Sequence, residues 1–120
     1  MKILIVDDSS VMRKIVRKSL RQAGLGSHEV EEAANGQEGL AQIDASCPDL
    51  VLCDWNMPEM SGMELLQALR GRECPVPFCF VTSEATNAMR SEAHEAGANG
   101  FVTKPFTPDS LRDALEPLLG

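Results

Sequence analysis

The 120-residue chain is long enough for one domain with a real core and too short for two of ordinary size, so it reads as a single domain over residues 1–120. Its 18 acidic side chains against 11 basic ones leave a formal net charge of −7, which opposes nonspecific attraction to DNA or anionic lipid and removes nucleic acid as an expected direct partner. No apolar run approaches the roughly 20 residues of a spanning helix, and no basic-then-apolar leader precedes the first strand, so no membrane insertion and a cytoplasmic location are expected.

Short apolar runs alternate with stretches of helical period. KILIV (2–6) reads as the first strand. In the helix after it, Val11, Met12, Ile15, Val16 and Leu20 form one apolar face, Arg13, Lys14, Arg17, Lys18 and Arg21 fall largely opposite, and Gly24 is a natural stop. HEVEEA (28–33) is the second strand, and Asn35 with Glu38 has the spacing of a capping box opening the second helix. LVLC (50–53) follows, then Ser61 with Glu64 at the same capping spacing, then PFCFVT (77–82). Gly97 closes the fourth helix, GFVT (100–103) is the fifth strand, and Thr107-Pro108 places an N-cap and a first-turn proline at the start of the fifth helix, which Pro117 is expected to fray. Five β-then-α units predict an α/β fold: a doubly wound, five-stranded parallel sheet of flavodoxin-like order 2-1-3-4-5, covered by helices on both faces with right-handed crossovers.

That order puts the ends of strands one and three side by side, about 4.8 Å apart, at the rim where ligands bind in such sheets. Asp7 and Asp8 end the first strand and Asp54 the third; Thr82 ends the fourth, and Lys104 follows the fifth. Taken singly these residues have ordinary explanations: Asp8 or Ser9 could cap the first helix, and Asp54 could begin a turn. Three converging carboxylates call instead for a cation, and an all-oxygen donor set with room for water suits Mg²⁺, with Mn²⁺ as a substitute. A carboxylate beside that ion can accept a phosphoryl group, with Lys104 and Thr82 sharing the oxygen charge. No P-loop, G-x-G-x-x-G turn or Ser/His/Asp set is present. Cys47, Cys53, Cys74 and Cys79 lack C-x-x-C spacing and read as reduced thiols, while His28 and His94 have no neighbouring co-ligands.

VDDSSVMRKIVR, CDWNMPEMSG, FVTSE and AGANGFVTKPF, taken in order, resemble the receiver domains of two-component response regulators, and DWNMP with NGFVTKPF is similar to the single-domain chemotaxis regulators of CheY type. The resemblance implies that Asp54 is the phosphoacceptor. It further implies that Asp7, Asp8 and Asp54 with the backbone carbonyl of Asn56 hold Mg²⁺, and that Lys104 pairs with phosphoryl oxygens. Thr82 and Phe101 would be the switch pair, and Lys104-Pro105 would be cis, a plain trans turn being the alternative. The CheY-type proteins commonly carry tyrosine where this chain has Phe101, whose ring serves equally as core packing. Asn56 and Glu84 flank the expected entrance and are either rate-tuning positions or ordinary exposed loop residues. Trp55, the only tryptophan, follows Asp54 directly and is either a reporter of metal at the site or an ordinary, partly buried packing residue.

The implied function is a phosphorylation-dependent signalling switch, catalysing only its own phosphorylation and dephosphorylation, in chemotaxis or a phosphorelay. Its partners would be a histidine kinase or histidine phosphotransfer protein and a downstream effector on the face of helix four, strand five and helix five. The basic stripe of helix one is either a solvated face or the donor's docking surface. A Mg²⁺-dependent phosphatase with Asp54 as nucleophile is the alternative from the enzyme class, although Asn56 stands where such enzymes want a second acid. A receiver belonging to a larger regulator with an output domain is the other.

Overall fold

The computed structural model describes residues 1–84 and 86–119. Its elements run β1 (Lys2–Val6), α1 (Ser10–Gln22), β2 (Glu29–Ala33), α2 (Gly36–Ser46), β3 (Leu50–Cys53), α3 (Gly62–Gly71), β4 (Phe78–Thr82), α4 (Asn87–Glu95), β5 (Gly100–Thr103) and α5 (Pro108–Leu119). The strands form one parallel sheet in the order β2-β1-β3-β4-β5, as the sequence predicts.

The central strands are apolar without interruption because both of their faces are covered. Leu4, Val6, Val51, Cys53, Phe78 and Phe80 point into a core shared with Ile43 of α2, Leu65, Leu66 and Leu69 of α3 and Ala93 of α4. The alternate residues Ile3, Ile5, Leu50, Leu52, Cys79, Val81 and Val102 point the other way, against Val16 and Leu20 of α1 and Leu111 and Leu115 of α5. The period of two along each strand thus assigns α2, α3 and α4 to one face and α1 and α5 to the other. β2 is an edge strand, and its EVEEA sequence keeps it polar, which guards an unpaired edge against association.

The helix boundaries follow their caps. Ser9 accepts from the Met12 N–H and Asn35 from the Glu38 N–H, while Ser61 and Glu64 complete a reciprocal box. Thr107 and Ser110 exchange side-chain-to-backbone bonds of 2.9 and 3.0 Å at the start of α5. Gly24 and Gly97 take positive φ of 83° and 101° just past α1 and α4, a conformation that costs glycine little.

Two sequence expectations need correction. α5 runs through Pro117 to Leu119 instead of fraying, because the proline removes a single intrahelical bond, that to the carbonyl of exposed Asp113, while Leu115 stays fully buried. The apolar face of α1 is also narrower than its sequence implies: Val16, Ser19 and Leu20 are buried, but Val11 and Ile15 are 65% and 45% exposed.

Conversely, Arg13 and Arg17 lean onto β2, where their guanidinium groups grip the two oxygens of Glu32 at 3.0 and 2.9 Å. Burial alone raises the Glu32 carboxyl, but hydrogen bonds from Arg17 and Arg13 outweigh it and hold the pKa below the ordinary glutamate range. A depressed folded value adds stability above the ordinary value that is lost as pH falls through the folded one. Glu32→Gln is therefore expected to cost about 1 kcal/mol by urea unfolding at neutral pH. The deficit should shrink as pH falls below the ordinary value of 4.5.

Candidate functional site

The sheet order brings the sequence-predicted acids together. Asp7 N–H donates to the Ala33 carbonyl and Asp54 N–H to the Val6 carbonyl, so each acid continues its strand's ladder by one residue. Carboxylate oxygens of Asp7, Asp8 and Asp54 lie within 4.8 Å of one another. Asp7 is 4% exposed, Asp54 half-buried and Asp8 exposed, so the cluster opens outward through Asp8.

Lys104 enters from the far side. Its ammonium lies 3.3 Å from Asp7 Oδ2 and 3.5 Å from Asp54 Oδ1. Its backbone N–H donates to the Thr82 carbonyl at 2.7 Å, and the Lys104–Pro105 peptide bond is cis, as the resemblance implies. Burial is the largest influence on the Asp54 carboxyl and raises its pKa; Lys104 pulls the other way, and Asp7 adds to the rise. One ammonium therefore does not neutralise the group of acids.

The donor set suits a hard divalent cation: three carboxylates, no thiolate or imidazole among them, and an exposed side for water. Among the described residues no backbone N–H donates to the Asn56 carbonyl, which leaves that oxygen free to join them.

Thr82 is fully buried at the end of β4, and its hydroxyl accepts the Glu84 N–H at 3.3 Å. Glu84 and Asn56 are both exposed beside the crevice. Phe101 is half-buried. Its ring centroid lies 6.2 Å from that of Phe80 and 6.3 Å from that of Trp55, which itself lies 4.6 Å from Phe80. The Arg90 guanidinium covers Phe101 at 4.7 Å and donates to Thr103 Oγ1 at 3.0 Å.

Sequence reasoning passed over three contributors. Gly62 matters because any Cβ there would run into the Asp54 carbonyl and the Phe80 ring. Arg90 is one of several charged residues on α4, and nothing in its spacing marks it as a partner of Phe101. Arg13 was grouped with the solvated cations of helix one, yet it donates to the Asp7 carbonyl at 2.6 Å.

A doubly wound α/β protein with an acidic, lysine-bearing crevice at the carboxyl edge of its sheet is the class that fold and site define together. Residues 3–116 match the response regulator receiver domain, and the chain belongs to that family. The chemotaxis protein CheY1 of Helicobacter pylori is 42% identical, the match covering 100% of this chain and 98% of that protein. Chemotaxis protein CheY of Pseudomonas aeruginosa is also 42% identical, over 98% of this chain and 95% of its own length. The crystallised chemotaxis protein CheY4 of Vibrio cholerae superposes with a TM-score of 0.87 at 37% identity, covering 98% of both chains. Among the described residues no helix is long and apolar enough to cross a membrane.

An acid whose folded pKa is raised contributes its favourable state at low pH and loses it as pH climbs through the shifted value. Asp54→Asn is accordingly expected to raise the melting temperature by a few degrees at neutral pH without divalent ions. The gain should disappear in acid, where Asp54 is protonated in both states; thermal scans across pH in chelator check it.

Proposed function

We propose that this chain is a phosphorylation-controlled switch of a two-component system, working in the cytoplasm, in which Asp54 accepts a phosphoryl group from a histidine kinase or histidine phosphotransfer protein. The observation that carries the reading is the Lys104 ammonium poised within 3.5 Å of both Asp7 and Asp54. A group so placed can follow charge from the carboxylates to phosphoryl oxygens.

In the transfer step an Asp54 oxygen attacks phosphorus, the phosphorus–nitrogen bond of the donor phosphohistidine breaks, and the released imidazole nitrogen takes up a proton. Hydrolysis returns the system: water attacks phosphorus, the bond to the Asp54 oxygen breaks, and inorganic phosphate leaves. Both reactions act on the protein's own side chain, so the chain turns over no separate substrate. Asp7, Asp8, Asp54 and the Asn56 carbonyl would hold Mg²⁺, or Mn²⁺ in its place, and that ion supplies neutralisation of equatorial oxygen charge. Lys104 balances the remaining charge on the opposite side. Asn56 and Glu84, at the open side, would set how easily water reaches the phosphorus.

Readout requires a group that interacts differently with the two states. Thr82 fits: to reach a phosphoryl group on Asp54 its hydroxyl must give up the Glu84 N–H. Thr82 lies two residues along β4 from Phe80, the register partner of Phe101, so its movement would be passed to that ring, and movement of the ring would alter the surface of α4, β5 and α5 that an effector reads. The names of the relatives favour a chemotaxis effector. Exposed Val11, Ile15, Lys14, Lys18 and Arg21 of α1 form an amphipathic surface for the phosphodonor, whereas Arg17, part of the same stripe in sequence, is engaged by Glu32.

Incubation with acetyl phosphate and Mg²⁺ followed by intact mass is expected to show one added phosphoryl group. Asp54→Asn or a chelator should abolish it, and Lys104→Ala should slow it at least tenfold. Repeated turnover of an added phosphoester, lost in Asp54→Asn, would instead favour a phosphatase with Asp54 as nucleophile.

A further inference from the structure

Asp7 is held from every side. Its N–H donates to Ala33, its Oδ1 accepts the Ser9 N–H at 2.9 Å, and its Oδ2 faces Lys104. The one group left is its main-chain carbonyl, and this accepts the 2.6 Å bond from Arg13 Nη1. Arg13 stands one turn into α1, and helical side chains lean toward the helix N-terminus, so its guanidinium reaches back over the Ser9 cap to the strand end. Its side chain is only 16% exposed, and its Nε is fixed on Glu32 at 3.0 Å. A planar fork anchored at one nitrogen presents the other in a defined direction, which a single ammonium could not do.

The peptide so gripped is the Asp7–Asp8 link. Asp8 is exposed, and among the described residues no side-chain hydrogen bond holds its carboxylate. Its direction therefore depends on the plane of the peptide before it, which the Asp7 carbonyl defines.

We propose that Arg13 is a positioning residue of the carboxylate site: braced by Glu32, it clamps the Asp7 carbonyl and so aims Asp8 at the cation. This inference rests on the magnesium-site reading above.

Arg17 supplies an internal control. It too lies on α1, pairs with Glu32 and donates to a main-chain carbonyl, but that carbonyl belongs to Val30 of β2, at 3.1 Å, whose register partner Ile3 lies four residues before Asp7. The two arginines make matching contacts but hold different peptides, and Arg13 is the more buried of the two. Electrostatics opposes the proposed effect, since removing a cation next to the acids should by itself tighten binding of a divalent ion.

Heteronuclear NMR titration of the whole chain with Mg²⁺, following the Asp8 and Ser9 amides, separates these. Outer partners of metal ligands typically matter by tenfold or more in affinity. Arg13→Met is expected to weaken Mg²⁺ binding about tenfold and to move both amides before metal is added. Arg17→Met should stay within about twofold of the unaltered protein, as the same comparison implies. Arg13→Lys, which retains charge and helix, should also bind more weakly. Equal weakening by Arg13→Met and Arg17→Met, or unchanged or tighter binding in both Arg13 variants, would overturn the inference. No saturable response in the unaltered protein would overturn the magnesium reading itself, and the inference with it.

Discussion

The structure is organised around the repulsion among Asp7, Asp8 and Asp54. Sheet order makes it unavoidable: β1 and β3 are neighbours, and each carries its acid one residue past the last paired position. The fold relieves the crowding only in part. Lys104 contacts two of the three, yet the Asp54 carboxyl still lies above its ordinary range because burial outweighs that pairing. A group of acids left under-neutralised in a partly buried crevice is matched to a ligand that brings charge of its own.

Much of the surrounding architecture follows from holding these groups still while leaving one side open. Gly62 lets the start of α3 pass close beneath the Asp54 carbonyl, and its N–H donates to Trp55. The cap at Ser9 and the Asp7–Ser9 bond fold the chain sharply from β1 into α1. On the opposite side the aromatic contacts of Trp55, Phe80 and Phe101 run from the residue after Asp54 to β5, where Arg90 covers the last ring. Site and outer face are thus joined by packed rings, and dense packing shifts between discrete arrangements more readily than it deforms.

The strands and the acids were legible in the sequence because they rest on local signals with one interpretation. Continuous apolar runs flanked by helical periods mean a parallel sheet, and an acid at the end of such a run can only stand at its rim. The capping residues Asn35 and Ser61 were equally plain, since each has its glutamate three residues on, whereas Ser9, without that partner, stood level with Asp8 until the structure showed it accepting the Met12 N–H. What escaped was set by tertiary neighbours. Arg13 and Arg17 obey the periodicity of a solvated face, but Glu32 on an edge strand draws them inward. Val11 and Ile15 obey the periodicity of a core face, yet α1 sits where only a narrow stripe meets the sheet. Pro117 breaks a local rule at a point where buried Leu115 keeps the helix in place. Gly62 looks like any helix-start glycine until the Asp54 carbonyl is placed beside it.

The most direct test of the convergence of distant acids on one cation is paramagnetic broadening by substoichiometric Mn²⁺ in NMR spectra of the whole chain. Amide signals should be lost first at Asp7 and Asp8, at Asp54 to Asn56, and around Thr82 and Lys104, with the opposite end of the sheet untouched. Broadening centred elsewhere, or confined to only one of the two strand ends, would contradict the shared site.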